Sequence, residues 1–185
     1  MNANKIILDL CGGTGAWSKP YKDAGYDVRL VTLPDRDVTD YIPPADVYGI
    51  LAAPPCTMFS YARTTAKTPR NFYQAMDIVK ACLNIVWKCR CAAPLKFWAL
   101  ENPEGYLRQF LGRPAYKFKH AQFGVPNGKR TCLWGYFNPP KKTGKIIKFR
   151  RLPSRESVWW DRHRSSTERS ITPAKFAQAF FKANP

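Results

Sequence analysis

Short apolar runs recur along the chain, each closed by a polar or glycine/proline break. Lys5 to Leu10, Asp27 to Leu33, Asp46 to Ala53 and Leu95 to Leu100 read as strands, and Cys132 to Phe137 as another. Between them the spacing changes. Phe72, Ala75, Met76, Val79, Leu83, Val86 and Trp87 recur at three and four residues, which predicts a helix over 71–90, with Asn71 at its start and Cys82 beside the stripe. Shorter helices are expected over 16–24 and 104–111. A terminal helix is expected to begin at Thr172-Pro173, with Thr172 at the cap and Phe176, Ala179, Phe180 and Ala183 on one face. Strands alternating with helices predict an α/β fold, a mostly parallel sheet with helices on both faces.

The breaks carry the candidate chemistry. The run over 46–53 stops at Pro54-Pro55, because proline has no N–H for a strand ladder, and Cys56 follows at once. A thiol there stands at a strand end, where open α/β sheets place their sites; a small core cysteine is the alternative. The first run ends in Asp9-Leu10 and opens into Cys11-Gly12-Gly13-Thr14-Gly15-Ala16-Trp17-Ser18. Glycines so closely spaced allow a tight turn and close backbone approach to a ligand. Trp17 reads either as part of that ligand site or as core. The fourth run ends in Glu101-Asn102-Pro103, and a carboxylate at the end of an apolar strand is costly unless it has a partner or a task. Glu101 as a capping acid for the helix over 104–111 is the other reading.

Composition narrows the partner. With 30 basic against 13 acidic residues the formal charge is +17, which points to a polyanion, DNA or RNA. Much of the excess lies in 138–166, where Trp159 and Trp160 are interleaved with lysines and arginines; such a stretch suits phosphates and stacked bases, or a solvated linker. At 185 residues the chain is expected to be a single domain with its own core. No apolar run has the length of a membrane span and the N-terminus has no signal layout, so a soluble, cytoplasmic protein with no membrane partner is expected. Cys82, Cys89, Cys91 and Cys132 match no usual zinc spacing, so no metal is expected.

Ala53-Pro54-Pro55-Cys56-Thr57-Met58-Phe59-Ser60 resembles the nucleophile motif of the cytosine-5 DNA methyltransferases. Asp9-Leu10-Cys11-Gly12-Gly13-Thr14-Gly15 resembles that family's cofactor loop, Ala99-Leu100-Glu101-Asn102-Pro103 its glutamate-asparagine motif, and Phe123 to Thr131 its glycine-valine-proline segment. Arg169 to Pro173 resembles its last motif. The segments come in family order from about Ile6 to the end of the chain. The resemblance implies a Rossmann-like class I domain with S-adenosylmethionine as cofactor and DNA cytosine as target. In it Cys56 adds to cytosine carbon 6, with Arg63 or a helix start favouring the thiolate, and Glu101 contacts ring nitrogen 3. Asp9, Leu10, Cys11, Gly12, Gly13, Thr14, Gly15, Trp17 and Pro54 hold the cofactor, with Asp37-Val38 at its adenine; Asp35, Asp37 and Asp40 as loop punctuation is the other reading. Pro55, Ser60, Arg63, Asn102, Asn127, Lys129, Arg130 and Thr131 are the implied substrate contacts.

The match departs in places. Thr32 stands where a ribose-binding carboxylate is usual, with Asp35 the nearest substitute. Asn127 replaces a Gln and Lys129 an Arg, and Thr131 falls where a second Arg grips the base. The stretch 138–166 replaces a far longer target-recognition region, as in a compact member of the sort phages carry. The same chemistry on RNA or free cytidine nucleotides, and a non-catalytic nucleic-acid-binding homologue, are the alternatives.

Overall fold

The computed structural model describes residues 2–64, 66–93, 95–125, 128–144, 168 and 170–185. Most of the basic stretch singled out above, residues 145–167, therefore lies outside the described residues, as does Asn127.

The first apolar run forms β1 (Ile6–Leu10), buried along its whole length, and the next two form β2 (Asp27–Val31) and β3 (Val47–Ala52). β4 (Phe97–Pro103) follows, and after it the short helix α3 (Leu107–Leu111), which forms only the second half of the helix expected over 104–111. β5 (Tyr116–Lys119) and β6 (Arg130–Tyr136) complete a six-stranded sheet of order β2-β1-β3-β4-β6-β5. β1, β2, β3 and β4 run parallel to one another, and β6 runs antiparallel between β4 and β5. Three parallel strands, β1, β3 and β4, thus stand side by side with their C-terminal ends at one edge, the position that open α/β sheets use for ligands.

Successive side chains of a strand point to opposite faces, so two cores form. On one face α2 (Phe72–Ala92) packs Val79, Cys82, Ile85, Val86 and Cys89 against Leu8, Leu10, Ile50 and Leu100. On the other, α1 (Lys19–Asp23) and the terminal helix α4 (Ala174–Ala183) bring Tyr21, Phe176 and Phe180 against Ile7, Leu51, Ala99 and Leu133. The expected α/β sheet with helices on both faces is present. Asn71 caps α2 by accepting the Gln74 N–H at 3.0 Å. Among the described residues, no helix is long and apolar enough to cross a membrane.

Local expectations differ in four further places. Trp87 is exposed, because the buried face of α2 runs through Cys82, Ile85, Val86 and Cys89 and leaves position 87 beside it. The first helix spans only Lys19–Asp23, since Cys11 to Ser18 is used up in turns. Pro173, not Thr172, is the N-cap of α4, and no side chain caps it. β5 was not foreseen: its Tyr-Lys-Phe-Lys alternation is four residues long, too short to stand out without its partner β6.

Candidate functional site

Pro54 and Pro55 end β3, and Cys56 begins a tight turn in which its carbonyl accepts from the N–H groups of Phe59 and Ser60 at 3.0 and 2.8 Å. That turn is held from three sides. Ser60 pairs with Gly105 across an isolated bridge, and Phe59 accepts from the Tyr106 N–H at 2.8 Å. Only glycine fits at 105, because a Cβ would stand 2.1 Å from the Phe59 carbonyl oxygen. The Arg70 guanidinium donates to the carbonyls of Met58 and Ser60 and lies 4.9 Å from the Tyr106 ring centre. From below, Asn102 donates to the Pro54 carbonyl at 3.0 Å and is itself fully buried. Asn102, expected to meet substrate, instead ties the end of β4 to the Pro-Pro segment, since its side chain points to the α2 face.

Glu101, one residue earlier in β4, points to the opposite face. It pairs in register with Leu133 of β6, which places it on the same face as Thr131 and Lys129. Cys56, just beyond the end of β3, and Glu101, near the end of the neighbouring parallel strand β4, are both half-buried and close enough that the Glu101 charge helps raise the Cys56 pKa. Desolvation is the larger cause of that rise, and Lys129 works against it. Glu101 is likewise pushed above the ordinary carboxylate range by desolvation, with Lys129 and a hydrogen bond from Thr131 opposing. The cation that acts on the thiol is therefore Lys129. Arg63 donates both terminal nitrogens to Thr68, at 2.8 and 2.7 Å, and is occupied in closing its own loop. Lys129→Gln is thus expected to slow alkylation of Cys56 by iodoacetamide several-fold at mildly alkaline pH, read peptide by peptide in a mass spectrometer; an unchanged rate contradicts the assignment.

Behind Glu101 lies a residue that sequence reasoning passed over. His120 opens a 3-10 turn (His120–Phe123), is buried, and shares a hydrogen bond of 3.2 Å between its Nε2 and the Thr131 hydroxyl. Burial and the neighbouring Lys129 hold its pKa down at about 3, so the ring is neutral. The row Glu101, Thr131, His120 has a defined polarity. An ionised Glu101 only accepts, so Thr131 donates to it and accepts a hydrogen bond from Nε2–H; a protonated Glu101 reverses both bonds. One cue was available: the chain has only two histidines, and this one sits within the aromatic run over 116–123. Arg130 alternates to the other face and bonds Glu104 at 3.1 Å, so it does not take the place of the missing second arginine.

The glycine loop lies at the end of β1, one strand from Cys56. Asp9 is fully buried; its Oδ2 accepts from the Ser18 hydroxyl at 2.5 Å while Oδ1 has no partner among the described residues, and burial raises its pKa to about 6. Gly12 is required there, since a Cβ would come within 2.3 Å of the Asp9 carboxyl. Cys11 takes the left-handed backbone (φ 55°), and its sulfur accepts a hydrogen bond from the buried Cys82 thiol on α2. Above the loop the space is open: a Cβ on Gly13 would meet nothing within 4 Å. Among the described residues, the N–H groups of Gly12, Gly13 and Thr14 donate to no backbone carbonyl. Asp37 stands beside the loop, near enough for its charge to act on Cys11, and accepts from the Thr39 N–H and hydroxyl at 2.9 and 2.8 Å, which lowers its pKa.

This cradle fits an adenosyl cofactor held by backbone groups, with Asp37 beside the loop and the buried Asp9 beneath it. Leu10, Val38 and Trp17 are core side chains instead. Trp17 packs against Phe176 and Phe180, ring centres 5.9 and 5.4 Å away, because its position on the loop faces α4 rather than the open side. Pro54 is buried and Pro55 exposed.

No protein-family model and no curated protein sequence matches the chain. Solved structures similar to it include the following two. One is described as a DNA modification methyltransferase encoded within a prophage (E. coli), with 16% identity and a TM-score of 0.49 over 81% of this chain and 56% of that one. The other is a triple mutant of Spodoptera frugiperda DNMT2, with 15% identity and a TM-score of 0.36 over 80% of this chain and 52% of that one. The chain spans about half the length of these two proteins. Neither likeness bears on the chemistry, which rests on the chain's own residues.

Proposed function

We propose that this chain is an S-adenosylmethionine-dependent methyltransferase acting on carbon 5 of cytosine in DNA, through a transient bond from Cys56 to carbon 6. One observation carries the reading: a thiol just past one strand and a desolvated carboxyl near the end of the adjacent parallel strand lie within electrostatic range of each other, one strand away from an open glycine loop.

Carbon 5 of cytosine is a poor nucleophile. When the Cys56 sulfur bonds to carbon 6, the pair of electrons of the 5,6 double bond moves to carbon 5 and makes it reactive. Glu101, whose proton affinity its desolvated setting raises, takes up a proton as the base binds, donates to ring nitrogen 3 and stabilises the adduct. Arg70 and Asn102 hold the turn that aims the sulfur. Bound at the loop, the cofactor supplies an electrophilic methyl group on a sulfonium sulfur. Once carbon 5 carries the methyl, its proton leaves to solvent, the sulfur–carbon bond breaks and the double bond returns. A base in a duplex has to be swung out of the stack to reach this cleft.

The test is a trapping experiment. A pool of random-sequence duplexes containing 5-fluorodeoxycytidine is incubated with the protein and cofactor. Fluorine cannot leave as the carbon-5 proton does, so a denaturant-stable adduct is expected, mapped by mass spectrometry to Cys56. An adduct on another cysteine, or none while labelled methyl still reaches cytosine, defeats the covalent assignment. Methyl transfer confined to RNA or free nucleotides keeps the chemistry and changes the substrate. A chain that binds nucleic acid but no cofactor is a binding protein on the same fold.

A further inference from the structure

On the face of the β5–β6 ribbon turned away from Glu101 lies a hollow of about 200 Å³, lined by Lys117, Lys119, Arg130, Lys142 and Glu104, with Cys132 at its floor. Lys117 pairs with Cys132 and Lys119 with Arg130 in the antiparallel register, so all four side chains share that face. Lys119 and Arg130 are thus like charges directly opposite each other, an arrangement that weakens a strand pair. The carboxylate that lines the hollow, Glu104, is already shared between Lys117 at 3.5 Å and Arg130 at 3.1 Å. Lys142, 5.8 Å from the Tyr116 ring centre, adds a fourth cation at the sheet edge. Cations outnumber the carboxylate four to one in a concave space, an arrangement that suits an anion with several acceptor oxygens.

The location says which anion. Glu104 accepts no substrate in the proposed reaction, but its N–H donates to the Arg130 carbonyl at 2.9 Å, and the next residue, Gly105, bridges to Ser60 of the Cys56 turn. The basic hollow and the Cys56 turn are therefore joined through two consecutive residues, Glu104 and Gly105, at the same end of the sheet. We infer that this hollow grips the phosphodiester backbone of a nucleic acid strand next to the nucleotide presented to Cys56. The inference rests on the nucleic-acid reading given above and adds to it the surface that holds the strand.

Binding is measured by fluorescence anisotropy of a labelled random-sequence oligonucleotide, without cofactor and without turnover, across a salt series. Lys117→Ala/Lys119→Ala is expected to weaken binding about tenfold and to reduce the salt slope by about two, one for each phosphate that is no longer neutralised. Lys88→Ala/Arg90→Ala removes the same charge from the exposed face of α2 and is expected to change little. Lys119→Glu gives a second readout: facing Arg130 it should raise the thermal midpoint while weakening binding further than Lys119→Ala does. Equal weakening by the groove and α2 variants overturns the proposal in favour of diffuse attraction. Lower stability in Lys119→Glu overturns the like-charge argument, and polyglutamate competing as well as the oligonucleotide at equal charge replaces nucleic acid by an acidic protein. Because no methyl is transferred, a failed methyltransferase reading leaves this result standing, and an active enzyme whose groove variants bind normally refutes the groove alone.

Discussion

Cys56→Ala is expected to lower methyl transfer to cytosine by about a thousandfold or more, the scale on which removal of a nucleophile acts. The substitution is a clean one. Cys56 is half-buried at the head of a turn whose hydrogen bonds come from the backbone, so alanine leaves the carbonyl of residue 56, the Arg70 clamp and the Asn102 tie in place. Thermal unfolding should therefore be nearly unchanged, which separates chemistry from folding. Glu101→Gln makes a useful partner: it keeps the size and a donor but supplies no proton, and a loss of about a hundredfold is expected. The wild-type rate should climb with pH past the ordinary thiol range, because desolvation and Glu101 hold the Cys56 pKa up and only the thiolate attacks. Labelled methyl transfer to a DNA pool, read across pH for the three proteins, checks all of this. Near-normal transfer by Cys56→Ala removes the covalent route.

The second large effect concerns stability in acid. His120 is neutral in the fold down to about pH 3, while in the unfolded chain it gains its proton near 6.5. Its folded pKa is depressed, so the stability it contributes is complete above 6.5 and is lost as pH falls from there toward 3. Between pH 7 and 4.5 the loss is about 2–3 kcal/mol. Asp9 works the other way. Its folded pKa of about 6 lies above the unfolded carboxylate value, so the fold is penalised once Asp9 ionises and recovers about 2 kcal/mol over the same fall in pH. The two nearly cancel in the wild type. His120→Gln, which still offers a hydrogen bond to Thr131 but does not titrate, removes one side of the balance. Urea unfolding from pH 7 to 4.5 is expected to show the variant gaining stability relative to the wild type as the pH falls. Parallel profiles would mean that His120 is not held neutral.

The site itself was unevenly legible. Cys56 and Glu101 announce themselves because each interrupts an apolar run at its end, and a strand end is a place that sequence can locate. Lys129 was named with the substrate contacts, yet its action on both groups follows from β6 running back alongside β4. Arg130 shows the limit most plainly: a residue next to Lys129 in the chain points to the other face, because strand side chains alternate. Whether that alternation puts Arg130 or Thr131 behind Glu101 depends on register, and register depends on the partner strand. His120 and Arg70 were missed as site residues because both act through atoms distant in the chain, a threonine hydroxyl and two loop carbonyls. Trp17 and Asn102 carried family-like positions but were drawn into packing by neighbours, Phe176 and Phe180 for one, the Pro54 carbonyl for the other.

By itself the sequence determined the α/β alternation, the strand-end positions of Cys56 and Glu101, the glycine loop after β1 and the large positive charge. These follow from local rules: periodicity, the missing N–H of proline, the freedom of glycine, the count of ionisable groups. Only the tertiary structure decided which face each group serves and what surrounds it: that Lys129 is the cation acting on the thiol, that His120 stands behind Glu101 through Thr131, and that the cations of the β5–β6 ribbon gather in one hollow. Those outcomes depend on strand order and register, which are set by contacts among residues far apart in the chain, and no local pattern encodes them.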